Sequence, residues 1–355
     1  MSDIKITRTK NSHISEVNFD TLGFGDVFTD HMFSMDYENG KWVNPRIEPY
    51  GKIEFEPAMC TLHYAQAVFE GLKAFHAKDG SINIFRPEKN LERMNRSNVR
   101  MCIPEIDVDM FMEAMTELIK LDRDWIPTSK GYSLYIRPFV FGTECFLGVH
   151  PSSTYRFMII LSPVGAYYKE GFNPVSLLVP DEYVRAVKGG VGEAKTSGNY
   201  AASLLPAKIA QEKGFTQVLW LDGEHHRYID EVGTMNIFFV IDDVVITPPL
   251  EGSILPGITR DTALRLTKSW GMTVQEKRIS IDEVIEASKQ GHLREVFGTG
   301  TAAVISPVGE IQYKDITINI NDGKIGPIAN RLFDEITRIQ YGELPDNNGW
   351  IYKIP

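Results

Sequence analysis

The sequence predicts an α+β chain in two domains. Three observations carry this expectation. Segments of helical period and segments of strand character are mixed in the first half. Proline and glycine punctuate the chain near its middle. Beyond that point strand-like runs follow one another across short turns, a pattern that suits antiparallel hairpins better than regular βαβ units.

The elements follow in order. "SINIFRP" reads as a strand and "EKNLERMNRSNVRM" as a helix entered just after Pro87. "DVDMFMEAMTELIKLDRDW" repeats apolar residues at Phe111, Met115 and Leu118 and at Met112, Met115 and Ile119, the helical spacing. "GYSLYIRPFVFG" and "YRFMIILSPVG" are rich in aromatic and β-branched residues and read as strands. "PVGAYYKEGFNPVS", with Pro163, Gly165, Gly171 and Pro174, marks a linker. The expected division is therefore residues 1–164, a linker at 165–176, and residues 177–355. In the second part "VSLLVP", "TQVLWLDG", "YIDEVGTMNIFFVIDD" and "VVITPP" read as strands. "GITRDTALRLTKSWG" opens a helix after Gly257 and closes before Gly271. "GPIANRLFDEITRIQYG" has Pro327 near its first turn and an apolar stripe of Ile328, Leu332, Ile336 and Ile339.

The 355 residues carry a formal net charge of −10 and are 43% hydrophobic, ordinary for a soluble globular protein with ample core material. The acidic balance argues against nucleic acid as a partner, which would need clustered Lys and Arg. No apolar run is long enough to span a bilayer. "MSDIKITRTK" reads as neither a secretory signal nor an Arg-rich transit peptide. Cys60, Cys102 and Cys145 are scattered and odd in number, so they form neither a disulfide framework nor a metal cluster, and a cytoplasmic location is expected. His225-His226 lies where a turn is expected, without partners at metal-ligand spacing.

The stretch "GGVGEAKTSGNYAAS" crowds small residues around Lys195. As a phosphate-binding loop it fails in two respects. Ala194 stands where a glycine must precede the lysine, and no strand leads directly into it. As a covalent amine, Lys195 needs shielding among small neighbours to be a base and nucleophile. A surface lysine is the plainer alternative on this stretch alone. Pyridoxal phosphate, which works through such a lysine, also needs a carboxylate at its ring nitrogen and a cradle for its phosphate. "YIDEVGTMN" offers Glu231, costly in an apolar strand unless paired. "LPGITRDTAL" places Gly257, Ile258 and Thr259 at a helix start, where main-chain N–H groups attract anions. "FGTGTAAV" adds Thr299 and Thr301 on a small-residue turn. Arg93, Arg96 and Arg100 share one helix face, and a solvated basic face accounts for two of them.

The motifs "FTDHMF", "VFEGLKAF", "LYIRPFVFG", "GGVGEAKTSGNY", "EVGTMN", "LPGITRD" and "VFGTGTAAVISPV" cover nearly the whole chain. They resemble, in the same order, those of the branched-chain amino-acid aminotransferases, pyridoxal-phosphate enzymes of fold type IV. The resemblance implies a small N-terminal α/β domain, a larger C-terminal domain of mixed and antiparallel strands that binds the cofactor, and a site at the domain interface. It implies reversible transamination of L-leucine, L-isoleucine and L-valine with 2-oxoglutarate, giving branched 2-oxo acids and L-glutamate. Lys195 would carry the cofactor and shuttle the proton between substrate Cα and cofactor C4′. Glu231 would pair with the ring nitrogen and Tyr200 with the phenolic oxygen, with Thr234 beside them. Arg93, Ile258, Thr259 and Thr301 would hold the phosphate.

The substrate would meet Phe28, Tyr64, Phe69, Tyr135 and Tyr167. Arg137 would take the distal carboxylate of glutamate, and the N–H groups at Thr301-Ala302 the α-carboxylate. Val149 matches a loop that reaches into a neighbouring subunit's site, so a homodimer is implied. Animal members carry a Cys-x-x-Cys pair where this chain has Ala303 and Ser306, which excludes thiol regulation of that kind. D-amino-acid aminotransferases and aminodeoxychorismate lyases are the rivals that would keep Lys195 and Glu231.

Overall fold

Ser133–Gly142 lies antiparallel to Tyr155–Val164 along their whole length, with Arg137 opposite Ile160 and Tyr135 opposite Ser162. The two-residue period of a strand turns Leu134, Ile136 and Val140 to one face and Tyr135 and Arg137 to the other. The first face, with Phe157, Ile159 and Leu161, joins Leu91 and Met94 of the helix Pro87–Arg100 in one buried cluster. Phe111, Ala114, Met115, Leu118 and Ile119 of the helix Val108–Leu121 belong to the same cluster, and Met112 lies at its margin. Asp107 starts that second helix by accepting a hydrogen bond from Met110 N.

The computed structural model describes residues 4–165 and 172–355. Tyr167, and positions 166–171 of the expected linker, lie outside the described residues. The described residues group into two compact units. One comprises residues 4–165 with Ala194–Ser197 and Arg338–Pro355; the other comprises residues 172–193 with Gly198–Thr337. The linear order is thus crossed by two returns of the chain. The later one is explained by Ile351–Ile354, which pairs antiparallel with Ile82–Phe85 and completes the first unit's sheet.

That sheet has nine strands and is antiparallel apart from Lys5–Ile6, which runs parallel to Lys41–Pro49. The second unit also has a nine-stranded sheet. Ile229–Val232 pairs with both Gln217–Leu221 and Met235–Ile241, through the hairpin turn at Gly233-Thr234. This closes a ring that continues through Leu293–Gly300, Val304–Tyr313 and Val175–Leu178 and back to Gln217–Leu221.

One expectation needs correction. Val175–Leu178 is not part of a hairpin but runs parallel to both of its neighbours. Parallel neighbours need a crossover, and the helix Ser197–Glu212 lies on the chain between Val175–Leu178 and Gln217–Leu221. Its sequence announces it poorly: Pro206 sits inside it, and only Asn199, Pro206 and Ala210 are buried. The helices Ile258–Ser269 and Pro327–Gln340 fall where the sequence puts them. Among the described residues no helix is long and apolar enough to cross a membrane.

Candidate active site

Lys195 belongs to the first unit although its chain neighbours on either side belong to the second. Short main-chain contacts hold it there. Its carbonyl accepts a hydrogen bond from Phe69 N at 3.1 Å, and its N–H donates to Ser97 Oγ at 3.0 Å. Ser97 in turn donates to the Arg93 carbonyl at 3.0 Å. Next to it, Thr196 donates from Oγ1 to the Ala67 carbonyl at 2.7 Å and pairs with Val68. No strand leads directly into Lys195: bends and turns separate it from Val175–Leu178. The phosphate-loop arrangement is therefore absent.

Aromatic and charged groups surround the half-buried lysine. Its Nζ lies 4.8 Å from the centre of the Phe69 ring, and the Arg137 guanidinium lies 4.8 Å from the same centre. Arg137 donates from Nη2 to Tyr135 Oη at 3.1 Å, while its buried Nε has no partner among the described residues. Gly71 lets Tyr135 take this place, because a Cβ there would stand 2.0 Å from the phenolic oxygen. Lys73, opposite Tyr135 on the next strand, is buried, and burial pushes its ammonium down to about 8.

Glu70 is wholly buried. It accepts from Arg93 Nε at 2.7 Å on Oε1, and from Arg93 Nη2 and Asn90 Nδ2, both at 2.8 Å, on Oε2. Burial alone would raise its pKa. The charge and hydrogen bonds of Arg93, the charge of Lys195 and the amide of Asn90 outweigh burial and hold the carboxyl below its ordinary range. Of the three arginines on that helix face, Arg93 is buried and Arg96 and Arg100 are exposed, as the solvated-face account requires.

In the second unit Glu231, 3% exposed, stands between Trp220 and Asn236 on the neighbouring strands. Asn236 donates from Nδ2 to Glu231 Oε1 at 2.9 Å. Arg185 Nε lies 2.6 Å from Oε2, an ion pair whose N–H is not aligned along the contact. A cleft of about 300 Å³ brings Glu231 together with Arg185, Tyr200, Thr234 and Leu255. A larger cleft, about 490 Å³, is lined by Tyr228, Asp230 and Arg278 and holds none of the expected site residues, so the smaller one is the candidate.

Gly257 caps the helix Ile258–Ser269 without a side-chain acceptor, leaving the N–H groups of Ile258 and Thr259 at its positive end. Thr301 and Ala302 occupy a turn, and the Thr299 hydroxyl is buried with no partner among the described residues. A buried carboxylate, a side-chain-uncapped helix start and an orphaned hydroxyl suit a group with a basic ring nitrogen and a phosphate.

Other expected residues sit apart from these clusters. Phe28 stacks on Tyr50 with ring centres 4.9 Å apart. Tyr64 is exposed at the end of the short helix Cys60–Tyr64. Val149 is 88% exposed in a turn that also exposes Leu147. Sequence reasoning missed Glu70, Lys73, Ser97, Arg185 and Asn236. Glu70 was open to discovery by the argument applied to Glu231, a carboxylate among apolar strand residues.

The sequence profile of the amino-transferase class IV family matches residues 67–311, which span Phe69, Glu70, Arg93, Lys195 and Glu231. The chain belongs to the class IV aminotransferases. Within that family it is 57% identical over 334 residues to branched-chain-amino-acid aminotransferase 2 of Bacillus subtilis, covering 94% of this chain and 92% of that one. A probable branched-chain-amino-acid aminotransferase of Staphylococcus aureus is 54% identical over 340 residues, covering 95% of each chain. As a class IV aminotransferase it also resembles the crystal structure of the Escherichia coli branched-chain amino acid aminotransferase. The TM-score is 0.76 at 30% identity, covering 91% of this chain and 98% of the other. A second crystal structure, of a bacterial branched-chain amino acid aminotransferase with pyridoxamine 5′-phosphate, gives a TM-score of 0.74 at 30% identity, with coverage of 90% and 97%. The fold is that of these enzymes.

Proposed function

We propose that this class IV aminotransferase is a branched-chain-amino-acid transaminase, exchanging the amino group of L-leucine, L-isoleucine or L-valine with 2-oxoglutarate. The observation that carries the reading is the Phe69 ring, with the Lys195 ammonium and the Arg137 guanidinium each 4.8 Å from its centre. A nucleophilic amine thus shares an apolar surface with a cation suited to a second carboxylate. Branched aliphatic side chains fit the aromatic surface, and glutamate fits the arginine.

Pyridoxal 5′-phosphate, when bound, condenses with an amine and supplies a ring that accepts electrons from Cα. Lys195 forms the covalent attachment, is displaced by substrate, and then takes the proton from substrate Cα and returns it at C4′. Glu231 holds a proton on the ring nitrogen, Tyr200 donates to the phenolic oxygen, and Thr234 borders them. Arg93, Ile258, Thr259 and Thr301 hold the phosphate. A guanidinium carries five N–H donors, so anchoring Arg93 on Glu70 does not exhaust its capacity. Phe28, Tyr64, Phe69, Tyr135 and Tyr167 enclose the side chain, and Thr301-Ala302 receive the α-carboxylate. Val149, with the exposed Leu147 beside it, supports a homodimer in which this turn serves the neighbouring subunit. A cytoplasmic location and a division into residues 1–164 and 177–355 joined by 165–176 belong to the same proposal.

The test is a panel of L-leucine, L-isoleucine, L-valine and D-alanine with 2-oxoglutarate, read beside the absorbance of the purified protein. The branched L-amino acids should turn over and Lys195→Ala should abolish transfer. Preference for D-alanine, or full turnover in Lys195→Ala, overturns the reading.

A further inference from the structure

Asn236 touches two parts of the second unit with one amide. Its Nδ2 donates to Glu231 Oε1 at 2.9 Å and to the Leu255 carbonyl at 2.9 Å. An amide NH₂ has two hydrogens, so both are committed. Because both partners are acceptors, the nitrogen and not the oxygen must face them. On its other side Oδ1 lies against Gly257, where a Cβ would stand only 1.9 Å away. Leu255 and Gly257 are the residues that lead into the helix at Ile258. Asn236 is 4% exposed, and so neither contact is easily replaced by water.

We propose that Asn236 is a positioning residue that fixes the Glu231 carboxylate and the start of the helix Ile258–Ser269 in one register. The cofactor's ring nitrogen and its phosphate are then received at a set spacing. The inference rests on the reading of Glu231 as the ring-nitrogen partner. On the opposite oxygen Arg185 supplies charge at 2.6 Å without an aligned N–H, so direction at Glu231 comes from the amide. Gly257 follows from the same contact, since no side chain fits against Oδ1.

The informative substitution is Asn236→Asp, which keeps the shape. Ionised, it sets a second carboxylate against Glu231; protonated, it can donate once. The neighbouring charges that bear on it are Glu231 and Arg185. Reconstitution of the stripped protein with pyridoxal phosphate, followed by absorbance, should show affinity reduced roughly 10- to 100-fold at pH 8, with much of the loss recovered toward pH 6 relative to the natural protein. The same substitution made on Glu231→Gln should cost far less. Gly257→Ala, which displaces Asn236 without new charge, should weaken reconstitution equally at both pH values and serves if Asn236→Asp does not fold. Unchanged affinity in Asn236→Asp, or a loss indifferent to pH and to Glu231→Gln, overturns the proposal. If Glu231→Gln alone leaves reconstitution and turnover intact, the Glu231 reading falls and takes the positioning role with it.

Discussion

Glu70 and Arg93 form a buried pair joined at both ends, Nε to Oε1 at 2.7 Å and Nη2 to Oε2 at 2.8 Å. The side chains are 0% and 5% exposed. Such a pair orients a guanidinium more firmly than it stabilises a fold, because desolvating two charges offsets much of their attraction. Removing one member is another matter, since it strands the other.

Glu70→Gln should therefore cost about 3 kcal/mol or more of stability and weaken cofactor retention. The double substitution Glu70→Met with Arg93→Met should cost less stability than the sum of its parts. Denaturant unfolding of the four proteins measures the coupling. Strict additivity would show that the two side chains act independently.

Arg137 and Tyr135 should govern the acidic substrate and spare the aliphatic one. Arg137→Met removes a charge-assisted donor worth about 1.5–3 kcal/mol, roughly a 10- to 100-fold loss. Single-turnover half-reactions separate the two: the rate with 2-oxoglutarate should fall by that factor and the rate with leucine far less. Gly71→Ala should do the same more weakly, because its Cβ, 2.0 Å from the Tyr135 oxygen, moves the phenol that Arg137 donates to. Equal losses on both substrates would assign Arg137 to something other than the distal carboxylate.

Asp230 gives stability an unusual pH dependence. Burial pushes its carboxyl up to about 6, against the hydrogen bond of Ser253 and the charges of Arg185 and Arg278. The folded state therefore holds its proton more tightly than the unfolded chain. This contribution is complete below the ordinary carboxylate range and is lost as pH rises through about 6. Asp230→Asn should be more stable than the natural protein by about 2–3 kcal/mol at pH 7.5, with the advantage gone near pH 4. Chemical denaturation at the two pH values checks this; parallel pH profiles for the two proteins would refute it.

The order of elements was legible in the sequence because it depends on local periodicity. The helices Pro87–Arg100, Val108–Leu121, Ile258–Ser269 and Pro327–Gln340 were all foreseen. The helix after Lys195 was not, since a proline and a thin apolar stripe hide its period. Lys195, Glu231 and Arg93 were legible as individuals because each is expensive or reactive in its setting. Glu70 was passed over, though equally expensive, for want of a visible partner.

The sequence by itself determined which residues had chemistry to offer and which segments were helix or strand. Both are properties of a few consecutive residues. Only the tertiary structure decided that Arg93 faces Glu70, that Lys195 is fastened to Ser97 across 98 positions, and that one asparagine ties Glu231 to the approach to a helix. Partners so far apart meet through sheet register and helix packing, which depend on the whole buried surface of each unit and leave no mark on any one stretch of chain.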